Sequence, residues 1–213
     1  MGANFDAIFS PARKSVDETI RLASEILQNS GLTFQRNVWK LRSVGKNPEI
    51  ATHEPVLVKD FTEVANATRK WWGRSMEWFS QRVGEVFFSV FSADDNRYHV
   101  VYNEGRRVHR MREQDQELQR SLISMLLQIS EALESDICTY RCESVDDFRP
   151  PSLTDLEDAI RLGKRWDGEI CIVAESCVPL ALKAELVQLQ PGIVRRATTG
   201  HYIVNYLGAR NAL

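Results

Sequence analysis

The chain has no long hydrophobic run. Its strictly apolar stretches are short, such as Met125-Leu126-Leu127, far below the ~20 residues that carry a helix across a bilayer. No membrane partner is therefore expected. Proline and glycine are sparse, seven and eleven in 213 residues, which excludes a long disordered linker. Cysteine is confined to Cys138, Cys142, Cys171 and Cys177. The start, Met1-Gly2-Ala3-Asn4-Phe5, has no basic region followed by an apolar one, so no secretory signal is expected. Position 6 is Asp, which departs from the pattern for lipidation of Gly2. The cysteines are then expected to be reduced thiols of a cytoplasmic protein. Gly-x-Ser-x-Gly, a phosphate loop, GxGxxG and HExxH are all missing. A net charge of −2 exerts no overall pull toward nucleic acid or membrane.

What the chain does have is an ordinary globular composition, 43% hydrophobic and 26% charged, and a pair of similar segments. Phe61-Thr62-Glu63-Val64, with Ala67 and Arg69 following, matches Leu153-Thr154-Asp155-Leu156, with Ala159 and Arg161 at the same offsets. Both reach Gly-Glu and a β-prone run, Val86-Phe87-Phe88 and Ile170-Cys171-Ile172. Arg69 lies 15 residues before Gly84, but Arg161 only seven before Gly168, so the first copy carries an insert rich in aromatics. We expect an internal helix-then-strand repeat and two related halves, 1–108 and 109–213, packed separately or as one body.

Local patterns supply the elements. Asn4 to Phe9 alternates in polarity as a first strand, broken by Ser10-Pro11. Ser15 and Glu18 form a capping box ahead of Val16, Ile20, Ala23 and Leu27, and Asn29-Ser30-Gly31 ends that helix. Phe34 to Leu41 reads as a strand, Gly45 to Thr52 as a loop and Pro55 to Val58 as a short strand. Asp60 and Glu63 cap a helix expected to continue through Trp71 and Trp72 toward Gln81. Val86–Phe91 and Tyr98–Tyr102 form a hairpin across Ala93-Asp94-Asp95-Asn96. Gln114 to Leu133 is a helix with Leu118, Leu122, Met125, Leu126, Ile129 and Leu133 as its buried stripe. Ile137 to Cys142 is a strand and Phe148-Arg149-Pro150-Pro151 a rigid connector. Pro179 to Leu189 is a helix, and Ile193–Ala197 with His201–Leu207 a closing hairpin beyond Gln190-Pro191-Gly192. Neighbouring strands joined by hairpins predict an α+β fold, with a mixed or antiparallel sheet packed by amphipathic helices.

Few residues announce chemistry. Cys138-x3-Cys142 and Cys171-x5-Cys177 have tolerable spacing for zinc, but Cys138 and Cys142 share a strand face and Cys171 takes the place of Phe87, so core packing is favoured and no metal or cofactor is expected. His53, His99, His109 and His201 are scattered, and a structural role is favoured for each. Asp94-Asp95 and Asp146-Asp147 sit in turn-like sequence. Two groups remain as candidate partner-binding residues. Trp71, Trp72 and Trp78 lie in the aromatic insert; on a helix Trp71 and Trp78 would share a face and Trp72 would turn roughly 100° away. Arg106, Arg107, Arg110 and Arg112 form the densest basic run, suited to phosphates or an acidic partner, though no aromatics interleave for base stacking.

The N-terminal third, with its strand Phe5–Phe9, short linker, capped helix from Ser15 carrying Ala23 and Leu27, and Trp39 beyond, resembles immunity proteins of bacterial polymorphic toxin systems. That resemblance implies a small cytoplasmic protein that binds and blocks a toxin domain without catalysis of its own. A non-enzymatic protein-binding role is thus the favoured expectation. A small enzyme with a His/carboxylate site and a nucleic-acid or regulatory module are the alternatives.

Overall fold

The computed structural model describes residues 4–45, 47–93, 97–142, 148, 151–162, 164, 166, 168–188 and 194–207. Asp94 to Asn96, Asp146-Asp147, Arg149-Pro150 and Gln190 to Ile193, on which several expectations above fall, lie outside these. Among the described residues eleven strands form one sheet: β1 (Asn4–Ala12), β2 (Thr33–Val44), β3 (Asn47–Ile50), β4 (Val56–Leu57), β5 (Gly73–Ser80), β6 (Gly84–Ser92), β7 (Tyr98–Gly105), β8 (Ile137–Cys142), β9 (Ile170–Ala174), β10 (Val194–Arg196) and β11 (His201–Asn205). Among the described residues six α-helices accompany them: α1 (Val16–Asn29), α2 (Val64–Ala67), α3 (Arg106–Gln114), α4 (Gln116–Ala132), α5 (Leu153–Arg161) and α6 (Leu180–Gln188). The strand order is β10-β11-β9-β8-β1-β7-β6-β5-β2-β3, with β4 also on β2. Every pairing is antiparallel. The fold is therefore α+β. No described helix is long and apolar enough to cross a membrane.

The period of two along each strand sorts side chains onto two faces. On the first face, Phe9, Trp78, Phe88, Tyr102 and Tyr140 join the apolar stripes of α1 and α4 in the main core. This core draws on residues from both sides of position 108. On the second face, β8, β9 and β11 present Ile137, Cys171, Val173, Tyr202 and Val204 to Leu156 and Ile160 of α5 and to Leu182 and Leu186 of α6. Ile8, Leu41, Phe91 and Val101 make a smaller second-face cluster, joined by Trp72 and Phe148.

The caps form as the sequence requires. Ser15 Oγ accepts from Glu18 N–H at 3.2 Å, Asp115 Oδ1 accepts from Glu117 and Leu118 at 2.8 and 3.1 Å, and Ser152 caps α5. Several expectations are corrected. β1 does not stop at Ser10-Pro11; it continues to Ala12 through a bulge between Phe9 and Ala12, where an unpaired position tolerates proline. Gly45 to Thr52 is not all loop, because Asn47–Ile50 pairs with β2 as β3. The basic run forms a helix of its own, α3, which ends at Asp115 before α4 begins.

The largest correction concerns the aromatic insert. The helix after Asp60 ends at Ala67, and Gly73–Ser80 is strand β5. Arg74, Met76 and Trp78 face the core while Glu77 and Phe79 face outward, so the segment's true period is two. The repeat is not matched by equivalent elements. Thr62 lies in a 3-10 turn (Phe61–Glu63) leading to a four-residue helix. Thr154 lies in nine-residue α5 on the other face of the sheet.

Candidate functional site

The sequence-selected residues separate in space. Trp78 is fully buried in the first-face core at 0% exposure, stacked obliquely beside Phe34 and Phe61. Trp71 is half-buried against the same core, with Lys40 Nζ 6.0 Å from its ring. Trp72 lies on Phe91 on the opposite face. Arg106, Arg107 and Arg110 are exposed on α3, but Arg112 is buried. The structure does not gather these seven side chains into one surface.

Arg112 instead anchors a buried polar network that sequence reasoning missed. Its Nε and Nη2 both donate at 2.8 Å to Glu104, one to each carboxylate oxygen, and its Nη1 donates to the Leu118 carbonyl at 2.7 Å. Tyr140 donates to Glu104 Oε1 at 2.7 Å and Tyr102 to Oε2 at 2.9 Å. With the Tyr140 proton committed to Glu104, His109 Nδ1, 3.1 Å away, is the donor to the phenol oxygen. His109 stacks on Phe5 with ring centroids 3.5 Å apart, and its Nε2 is 3.5 Å from Glu113. Glu104 is 0% exposed. Burial disfavours the Arg112 guanidinium, but the carboxylate beside it more than compensates and holds its pKa above the usual arginine value. Burial and then the negative charge of Glu104 push both phenols up. Each strong donor and acceptor meets another inside the protein, so the cluster acts as a clamp fastening α3 and α4 to β7 and β8. Its only sequence signal was an alternating Tyr102-x-Glu104 in a strand otherwise apolar on that face.

A second arrangement lies on the outward face at β6, β5, β2 and β4. Glu77 pairs across the strands with Phe87, and Phe79 with Glu85. Cross-strand neighbours have Cβ atoms about 5 Å apart, so two carboxylates and two phenyl rings alternate in a two-by-two pattern. Asn37 donates to Glu77 Oε2 at 2.9 Å, and Leu57, paired with Asn37 in the ladder, is 75% exposed. Phe79 is 44% exposed, and Trp39 and Phe87 are half-buried on the same side. Neither Glu77 nor Glu85 forms an ion pair among the described residues. Arg82 in the β5–β6 turn pairs with Asp115 and Glu117, and Arg36 lines a groove with Phe34 and Phe61 on the helical side. Arg36 sits at a register shift in β2 with φ 65°, the local bend that turns Asn37 toward Glu77.

The cysteines and histidines do not converge. Cys138 faces the main core and Cys171 the α5–α6 core, on opposite sides of the sheet. Cys142 is exposed, and Cys177 Sγ donates to Asp136 at 3.3 Å. No group of three or more metal-ligating side chains lies together among the described residues. His99 packs on Phe91 and Phe148 on the second face, whereas His109 is on the first. His53 is exposed, and His201 lies in β11 with Nδ1 3.3 Å from the Thr199 carbonyl. Open grooves of about 370 and 350 Å³ flank Phe61; the larger is lined by Asp17, Glu18, Arg21 and Asn66, and no histidine borders either.

No known protein family matches the sequence, and no curated protein does. Among solved structures, the chain is similar to a Pseudomonas aeruginosa T6SS protein, with a TM-score of 0.48 and 11% identity over 95% of this chain and 68% of that one.

Proposed function

We propose that this chain is a binding protein that recognises a protein partner through the outward face of β6, β5, β2 and β4, and that it belongs to the immunity type, holding and blocking a toxin domain. The observation that carries the reading is the uncovered apolar surface of that face. Leu57 and Phe79 stand out to solvent beside half-buried Trp39 and Phe87, whereas the same face farther along the sheet is packed under α5 and α6. Aromatic side chains on a rigid sheet suit an interface centre. The resemblance of residues 5–39 to immunity proteins supports the finer reading.

The test is co-expression with the products of neighbouring genes, followed by calorimetry on purified pairs. Tight binding by one product, lost in Leu57→Asp and Phe79→Asp, is expected; truncating such central residues costs on the order of 2 kcal/mol or more. Failure of every neighbouring product to bind removes the immunity role. A second reading rests on Arg106, Arg107 and Arg110, exposed on α3 with Arg106 and Arg107 in its first turn. Cations there oppose the helix dipole, an arrangement that an anionic partner would relieve. Retention on DNA or RNA that falls steeply with salt, and disappears in the triple alanine variant, would support that alternative.

A further inference from the structure

We infer that the partner seats an arginine side chain on the alternating square of Glu77, Phe79, Glu85 and Phe87. This rests on the reading of that face as the docking surface and adds the partner's chemistry. Two carboxylates stand on one sheet face with no cation paired to them among the described residues, while Arg82 in the β5–β6 turn is held on the helical side by Asp115 and Glu117 and Arg36 lines the groove there. Asn37 donates to Glu77 Oε2 and orients that carboxylate, and Oε1 remains as an acceptor.

The rings decide which cation fits. Phe87 lies opposite Glu77 and Phe79 opposite Glu85, so a planar guanidinium can stack on a phenyl face while its edge donates to an adjacent carboxylate. An ammonium, a compact and strongly hydrated charge, cannot stack in that way. Exposed Leu57 beyond Asn37 offers an apolar rim for the rest of a loop. The occupant is thus a basic protein segment carrying arginine beside apolar residues.

The experiment is an NMR titration of the full chain with the peptide acetyl-Arg-Leu-Arg-Leu-Arg-amide, beside the same peptide with citrulline for arginine. Citrulline keeps the shape and removes the charge. Shifts at the amides of residues 77, 79, 85 and 87 are expected with the arginine peptide and not with the citrulline one. The Glu77→Gln/Glu85→Gln variant, both sites being on the surface, should keep its remaining spectrum and bind about threefold to tenfold more weakly, as two exposed ion pairs imply. If both peptides shift the same amides equally, and Leu57→Asp abolishes both, the docking face stands and its preference for arginine falls. No shift, or shifts confined to the Asp17–Glu18 groove, would also overturn the inference. The docking face itself is judged separately by the calorimetry with neighbouring gene products.

Discussion

At the scale of single residues, Glu104 and Arg112 matter most. Removing one partner of a buried ion pair leaves the other charge uncompensated, a loss of about 3–5 kcal/mol. Glu104→Gln and Arg112→Met should each lower the unfolding free energy by that order, read in urea titrations as a lower midpoint. The double variant Glu104→Leu/Arg112→Met should cost less than the sum, because no lone buried charge remains. The phenols add a pH dependence. Burial and the Glu104 charge raise Tyr102 and Tyr140, so the folded state keeps protons that the unfolded chain releases above roughly pH 10. Their contribution is complete below that pH and is lost as pH rises toward the folded values. Chemical denaturation from pH 8 upward should therefore show stability falling in alkali, less steeply in Tyr140→Phe. The acid limb has the opposite sign. Hydrogen bonds from the Leu118 and Glu117 backbone lower Asp115, and the Arg82 hydrogen bond lowers Glu117. Their stabilisation holds above roughly pH 4 and fades below it.

Among the elements, β5 shows how close the strands are packed. A Cβ on Gly73 would meet Phe91 Cβ at 2.5 Å and Leu41 Cβ at 3.1 Å. Gly73→Ala should destabilise by about 1–3 kcal/mol through overpacking, read as a lower thermal midpoint. Asp115 ends α3 and caps α4 in one residue, so Asp115→Ala should cost about 1 kcal/mol. The Ser15 cap was legible because it depends on four consecutive residues, whereas the break at Asp115 was not, since Gln114 to Leu133 reads as one helix. The β5 segment was not legible either. Spacings of seven and eight among Trp71, Trp78 and Phe79 suit a helix face, but the same residues fit a strand once β2 and β6 lie on either side. Local spacing cannot choose between them; the ladder does. Arg74 illustrates the consequence. It is 2% exposed and donates to the Thr68 and Trp71 carbonyls at 3.1 Å, facing the core beside Met76 and Trp78.

For the whole molecule, β1 is decisive. It lies between β7 and β8, so the first strand of the chain joins the β7-β6-β5-β2 meander to the C-terminal strands. Phe9, at 0% exposure on that strand, touches the core both groups share. Phe9→Ala should cost about 3–5 kcal/mol. Unfolding should remain one transition, with far-ultraviolet dichroism and tryptophan fluorescence coinciding, since Trp78 and Trp166 lie in cores on either side of β1. Two separated transitions would show that the halves unfold independently.

The amino-acid sequence by itself determined the fold class, the long helices, the Ser15 cap and most strands, because alternation and capping are properties of short stretches. The resemblance of residues 5–39 suggested recognition as the task. Only the tertiary structure decided which face each strand residue takes, that Arg112 is an internal counter-charge rather than a surface cation, and that Glu77, Phe79, Glu85 and Phe87 meet. Those outcomes depend on strand register and on packing between elements, which no single short stretch sets, and a shift of one residue would turn every side chain to the other face.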